Sequence, residues 1–328
     1  MPSDAPDPSW TPEAIDAARA DIRRIAAERQ MSIAHIAREA GVPNGTFSTW
    51  LNASYTGRND RIAEQAKRWI ASLADRDAAR AIAPDAPTFQ MTPTAEAMFT
   101  LFAHAQHMPD LVVIAAGAGC GKTSSACAYT RRNPNVFKVV AEPCANGPRA
   151  VMEDLSRACG IMDRAGTALH RASRVLVDRL RGSQALIIID EAQHLTTPAI
   201  DQLRTIHDKA EVGVALVGNE TVLSRLEGAG RTAEFAQLFS RVGMRLKRAR
   251  PQRGDIDALL DAWSIEGAQE RKLLHLIARK PGALRGMTKA LRVAHMVAAA
   301  ERRALAPEDI RQAWERLSSD TTLGGEAA

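Results

Sequence analysis

Cysteine is scarce in this chain: its 328 residues hold four. Cys120, Cys127, Cys144 and Cys159 form no Cys-x-x-Cys pair, which excludes both a disulfide framework and a zinc-thiolate site. No apolar run reaches the length of a membrane span. The opening Met1-Pro2-Ser3-Asp4-Ala5-Pro6-Asp7-Pro8 lacks the basic and apolar segments of a secretion signal, so the expected location is the cytoplasm, with no membrane partner. What remains is an ordinary globular composition, 45% hydrophobic and 25% charged, in a length that suits two or three domains.

Acidic residues are missing locally. The net charge is +5, yet residues 83–240 carry 15 basic and 16 acidic side chains while residues 241–316 carry 17 against 9. Arg241, Arg245, Lys247, Arg248, Arg250 and Arg253 fall within thirteen residues that contain no acid. Such a block suits a polyanionic partner or simply a solvated basic face.

The chain is organised around Leu111-Val112-Val113-Ile114-Ala115-Ala116-Gly117-Ala118-Gly119-Cys120-Gly121-Lys122-Thr123. The apolar run reads as a buried strand, and the glycine-rich turn leads into a helical stretch. Freed backbone N–H groups and the helix dipole make an anion cradle there. Lys122 adds a point charge for β- and γ-phosphates, and the Thr123 hydroxyl suits Mg²⁺. The spacing is that of a P-loop with one departure: the first glycine is replaced by Ala116, which is expected to restrict the backbone where the turn begins. Cys120 inside the loop reads as a small residue filling a tight turn.

A second buried strand, Ala185 to Ile189, delivers Asp190 and Glu191 at its C-terminal end, where ligands of parallel sheets sit. Asp190 is placed to hold Mg²⁺ through water and Glu191 to polarise the water that attacks a γ-phosphate. A third strand, Val212 to Gly218, ends at Asn219, within reach of the same water. A short basic strand is expected from Met244 to Lys247, and helices from Asp255 to Leu317.

Toward the N-terminus, the stretch from Ser32 to Leu51 reads as a helix, a turn at Gly41 and a second helix, and it resembles the helix-turn-helix of phage-repressor type. The second helix exposes Asn44, Thr46, Ser48 and Thr49 but no Arg or Lys, so strong base readout is not expected from it. Arg58 and Arg61 are candidates to hold phosphate near the following loop. Sequence-independent contacts are assigned to Arg149, at the start of a helix, and to Arg171 and Arg174, three residues apart on one helical face.

The combination of P-loop, Asp-Glu strand, Asn219, Ser240-Arg241 and a helical region bearing Gly282-Ala283-Leu284-Arg285 resembles an AAA+ ATPase. With the N-terminal element, Asp190-Glu191-Ala192-Gln193-His194-Leu195, Arg231-Thr232-Ala233-Glu234-Phe235-Ala236 and Leu238-Phe239-Ser240-Arg241, it more closely resembles Mu-phage-type transposition protein B over residues 15–317. The resemblance implies an α/β fold: a P-loop AAA+ three-layer parallel-sheet domain with a C-terminal helical lid, preceded by a small all-α helix-turn-helix domain. The expected divisions are a disordered N-terminus at 1–12, the helix-turn-helix domain at 13–80, a linker at 81–93, the ATPase core at 94–250, the helical domain at 251–317 and a tail at 318–328.

The same resemblance implies an ATPase that uses ATP and Mg²⁺, binds double-stranded DNA with little sequence preference, self-associates into a helical oligomer and delivers that DNA to a partner transposase. By motif, Gly117, Ala118, Gly119, Cys120, Gly121, Lys122, Thr123 and Ser124 hold nucleotide, and Thr123 and Asp190 hold the metal. Glu191 activates water, Asn219 and Arg285 match the first and second sensors, and Arg241 matches an arginine finger acting across a subunit boundary. Base contacts would come from Asn44, Thr46 and Ser48. Two alternatives are an AAA+ helicase loader and an ATP-gated helix-turn-helix transcriptional regulator.

Overall fold

The structure is a computed structural model that describes residues 10–82, 89–161, 168–227 and 241–318. It divides into two compact units, Met1–Asp85 and Ala86–Ala328.

In the first unit, Thr11 accepts from the Ala14 N–H and Pro12 occupies the first helical position of α1 (Pro12–Glu28). Ser32 caps α2 (Ile33–Glu39) in the same way, and Gly41, at φ +71°, turns the chain into α3 (Asn44–Leu51). The fourth helix, α4 (Asn59–Ile82), runs into the stretch expected as linker. Ile22, Ile36, Ala37, Phe47 and Trp50 are fully buried between these helices, which explains their spacing in the sequence. The C-terminal carbonyls of α3 are not left bare: Arg19 donates to Trp50 O at 2.7 Å and Arg23 to Leu51 O at 2.6 Å.

The second unit is built on a five-stranded parallel sheet in the order β2-β3-β4-β1-β5. Its strands are β1 (Leu111–Ala116), β2 (Val136–Val140), β3 (Leu186–Asp190), β4 (Gly213–Gly218) and β5 (Val242–Arg248). One face is covered by α7 (Pro148–Ala158), α8 (Leu169–Leu180) and α9 (Thr197–Ala210), the other by α5 (Pro93–His107) and α6 (Lys122–Arg132). This is the expected three-layer arrangement. Every residue of β1, β3 and β4 is buried, as an apolar strand covered on both sides must be. The edge strand β5 is longer than the expected Met244 to Lys247. It pairs with β1 from Val242 to Arg248, with the register shifting past Gly243, and then alternates, with Met244, Leu246 and Arg248 half-buried and Arg245 and Lys247 exposed. α10 (Glu220–Glu227) follows β4 directly.

Four helices form the lid: α11 (Arg253–Ala262), α12 (Ala268–Ala278), α13 (Ala283–Ala300) and α14 (Pro307–Leu317). They enclose a separate apolar core around Leu260, Leu274, Ile277, Met287 and Leu291. One fully buried acid ties lid to sheet domain. Asp255, in the first turn of α11, accepts from Thr94 N (2.7 Å), Thr94 Oγ1 (2.6 Å) and Gln252 N (2.7 Å), so it serves the N-termini of α5 and α11 together. Asp255→Ala leaves those donors without acceptors, and an unfolding free energy lower by about 2–4 kcal/mol is expected in chemical denaturation. A change below about 0.5 kcal/mol, the range of surface substitutions, would count against the pin.

Candidate functional site

The phosphate loop begins one residue later than the motif suggests. Ala116 is still strand, fully buried and in register with Arg248, so it does not restrict the turn; the expectation that it does is corrected. Gly117 makes the close approach instead. Its N–H donates to Arg248 O at 2.8 Å, and a Cβ there would run into the carbonyl of Ala249. Gly119 and Gly121 adopt φ +80° and +85°, where side chains are strained, and Gly119 lies against the Gly282 carbonyl of the lid. Gly121 is the N-cap of α6 and offers no side-chain acceptor, so the first N–H groups of that helix remain available to an anion. Lys122 is buried, with Nζ donating to Ala116 O (2.6 Å) and Gly117 O (3.0 Å). Burial pushes the Cys120 thiol pKa up, and the Lys122 charge only partly opposes this. That fits a space-filling residue.

At the end of β3, Asp190 is buried and Glu191 turns into the left-handed region at φ +54°. Such a conformation costs about 1–3 kcal/mol in a non-glycine residue and recurs at functional sites. Asp190 Oδ1 accepts the Glu191 N–H at 3.0 Å, and Oδ2 lies 3.6 Å from Nζ of Lys138 on the neighbouring β2. Glu191 Oε2 accepts from Gln193 Nε2 at 2.5 Å, and Gln193 Oε1 accepts from the Asn219 N–H at 3.2 Å. Asn219 Oδ1 accepts from Thr221 N (2.9 Å) at the start of α10, leaving its amide N–H₂ for the cavity.

A cavity of about 510 Å³ collects these parts. Ala118 to Ser125 form its floor, and Glu191, Gln193 and Asn219 one wall. Arg285, Thr288, Lys289 and Arg292 reach it from α13, at spacings that put them on one helical face. Phe89, Gln90 and Trp263 also line it. Phe89 stacks on Phe99, with ring centroids 5.9 Å apart, and Arg132 lies over both rings. Lys122, Thr123, Ser124, Glu191, Asn219 and Arg285 thus converge as the sequence suggests. Asp190 lies beneath the wall, outside the lining. Gln193, Lys138, Lys289 and Arg292 were not singled out in the sequence. A period-3.6 count along α13 from Arg285 could have found the last two.

Arg241 is not at this cavity. Its guanidinium is half-exposed and donates to Asp208 Oδ1 on α9 at 2.7 Å. The segments Arg231 to Ala236 and Leu238 to Ser240 lie outside the described residues. Among the described residues no three His, Cys, Asp or Glu side chains cluster to hold a metal by themselves.

The residues suggested for DNA fall in both units. On α3, Asn44 and Thr49 are exposed while Thr46 and Ser48 are half-buried, and the Thr49 hydroxyl is bound to Gly45 O and Thr46 O. Arg58 is held by Asp60 through contacts of 3.2 and 2.6 Å, so its guanidinium is already engaged. Arg149 is exposed at the start of α7 and pairs with Glu153 at 3.1 Å. Arg171 and Arg174 are exposed on α8, which packs against α7. Among the described residues no helix is long and apolar enough to cross a membrane.

Comparison with known proteins adds the following. A family model described as "AAA domain" matches residues 106–226, and one described as "Mu B transposition protein, C terminal" matches residues 240–317. The "ATP-dependent target DNA activator B" of Escherichia phage Mu is 34% identical over 305 residues, covering 93% of this chain and 96% of that protein. The "Mu-like prophage FluMu DNA transposition protein B" of Haemophilus influenzae is 31% identical over 267 residues, covering 80% and 91%. Among solved structures, Cdc6p from Pyrobaculum aerophilum superposes with a TM-score of 0.56 at 17% identity, over 75% of this chain and 73% of that one, which speaks to the fold alone.

Proposed function

This chain belongs to the Mu B family of phage transposition proteins, and from that membership and the site geometry we propose that it is an ATPase that captures duplex DNA as a self-assembled oligomer for a partner transposase. The observation that carries the reading is the division of the hydrolytic groups. Lys122, Glu191, Asn219 and Arg285 share one cavity, while Arg241 sits outside it, on the surface and tied to Asp208. A finger that cannot reach its own nucleotide is a group for a neighbour's. Membership in this family favours transposition over the helicase-loader and regulator alternatives.

ATP enters with its phosphates on the loop. The N–H groups from Gly119 to Ser124 and the Lys122 ammonium bind the phosphate oxygens, and Arg285 reaches them from the lid, so lid and core close on the same anion. The residues present fit Mg²⁺ held jointly with phosphate: Thr123 offers a hydroxyl at the cavity, Asp190 a buried carboxylate beneath it, and no all-protein cage is needed. A Mg²⁺ held by Thr123 and, through water, Asp190 would supply neutralisation of the phosphate charge. Glu191 accepts the proton of the attacking water and Asn219 orients that water from the adjacent strand. A neighbour's Arg241 completes the charge stabilisation, so hydrolysis is slow until subunits assemble.

DNA affinity is mostly electrostatic in this proposal. Arg149 lies on α7 and Arg171 and Arg174 on α8, two helices in contact, and an oligomer repeats these exposed arginines along the duplex. Binding to random-sequence duplex is expected to require ATP and to weaken steeply with salt, as counterion release demands. Arg149→Ala and Arg174→Ala should each reduce the slope of log K against log salt by about 1 without changing ATP affinity. Fluorescence anisotropy over a salt series checks this. Wild-type slopes in both variants, with binding abolished by removing residues 1–80, would move the DNA site to the first unit.

A further inference from the structure

We propose that Gln193 is a positioning residue for hydrolysis: its amide fixes the Glu191 carboxylate and couples it to the end of β4. The inference rests on the reading of Glu191 as the group that activates water.

A glutamine amide offers one acceptor oxygen and two donors on nitrogen. Here its orientation is dictated from outside. The Asn219 backbone N–H can only donate, so the atom facing it at 3.2 Å must be Oε1. Nε2 is thereby turned toward Glu191 and donates to Oε2 at 2.5 Å. A glutamate at 193 would keep the first bond and lose the second.

Two features hold the amide in place, and a third fixes the backbone of Glu191, its partner. Gly218, the last residue of β4, has no Cβ, and a Cβ there would collide with Gln193 Oε1 and come within 2.5 Å of Val222 Cγ2. The main chain of Gln193 is held from α10, where Arg225 donates to Gln193 O at 2.9 Å and to Leu195 O at 2.8 Å. The backbone of Glu191 is fixed at φ +54° with its N–H bound to Asp190, but its side chain still has rotatable bonds. Gln193 removes that freedom. It occupies Oε2 and leaves Oε1, which has no hydrogen-bond partner among the described residues, to meet water at the cavity. Because one amide spans Glu191 and the N–H of Asn219, a shift at the end of β4 moves the carboxylate with it. Sensor and base respond together.

The test uses the full chain assembled on random-sequence duplex, with single-turnover hydrolysis and ATP binding measured for Gln193→Glu, Gln193→Met, Glu191→Gln and the Glu191→Gln/Gln193→Met double variant. Gln193→Met keeps the volume and loses both hydrogen bonds; Gln193→Glu keeps the bond from Asn219, loses the donor and sets a second carboxylate against Glu191. In both, kcat is expected to fall about 10- to 100-fold, the range for partners that orient a reacting group, with KM and ATP affinity unchanged. In the Glu191→Gln background, Gln193→Met should make no further difference, because the group it positions has lost its function. Wild-type kcat in both Gln193 variants, with Glu191→Gln inactive, overturns the inference and leaves the reading of Glu191 standing. An equal loss from Gln193→Met in both backgrounds, or weakened ATP binding, assigns the residue to packing and likewise overturns it. A wild-type rate in Glu191→Gln alone overturns the reading of Glu191 itself, independently of position 193.

Discussion

Glu191→Gln is expected to bind ATP and assemble on duplex DNA like the wild type while hydrolysing ATP about 10²–10⁴-fold more slowly, the range for loss of a positioned general base. The change keeps size and shape and removes only the carboxylate charge that accepts the proton. The proposed phosphate cradle, the loop N–H groups and Lys122, is left untouched. Lys122→Ala should behave in the opposite way. It removes the buried ammonium that spans Ala116 O and Gly117 O and that a γ-phosphate would recruit. ATP binding and ATP-dependent assembly are expected to disappear together in that variant. Equilibrium binding of a fluorescent ATP analogue, with electron microscopy of the DNA complexes, separates the two. Equal loss of binding in both variants would remove Glu191 from the role of base.

Arg241→Ala is expected to bind ATP normally and to lose about 10³-fold or more in hydrolysis, the effect of a missing arginine finger. Mixing it with Lys122→Ala should restore part of the activity, since a joint between the two variants can combine an intact loop from one with an intact Arg241 from the other. The isolated chain adds a further element: Arg241 is paired with Asp208, which also binds Arg204 at 3.2 Å. In the proposed arrangement, assembly exchanges that carboxylate for a neighbour's phosphate. The pair is only partly exposed, the Asp208 side chain less so than Arg241, and Asp208 keeps Arg204 as a partner when Arg241 leaves. Absence of rescue at every mixing ratio, with both variants folded and able to associate, would argue against a trans-acting arginine.

The buried strands of the ATPase unit and the helix after its phosphate loop were readable in the sequence, whereas α9 and α10 were not singled out there. The strands β1, β3 and β4 are unbroken apolar runs that only burial on two faces explains. Helix α6 begins at Lys122 and ends at Arg132 as its pattern indicates, since glycine before it and a chain reversal after it are local features. The edge strand β5 carried a weaker signal: half its side chains face solvent, and its ends are defined by pairing with β1. Local patterns do not carry that information.

By itself the sequence singled out Lys122, Glu191, Asn219 and Arg285, which the structure brings to one cavity, because each stands in a short motif whose backbone geometry is encoded by neighbours within a few residues. Tertiary structure alone decided the rest. It made Ala116 a strand residue and Gly117 the tight contact, because the limit there is the Ala249 carbonyl, far along the chain. It set Lys138 against Asp190 through the register of β2 on β3. It also placed Gln193 between Glu191 and Asn219, since that bridge exists only where β3 and β4 lie side by side, with a glycine at the end of β4 to admit the amide. Contacts between residues distant in sequence depend on which strands become neighbours, and the packing of the whole sheet decides that.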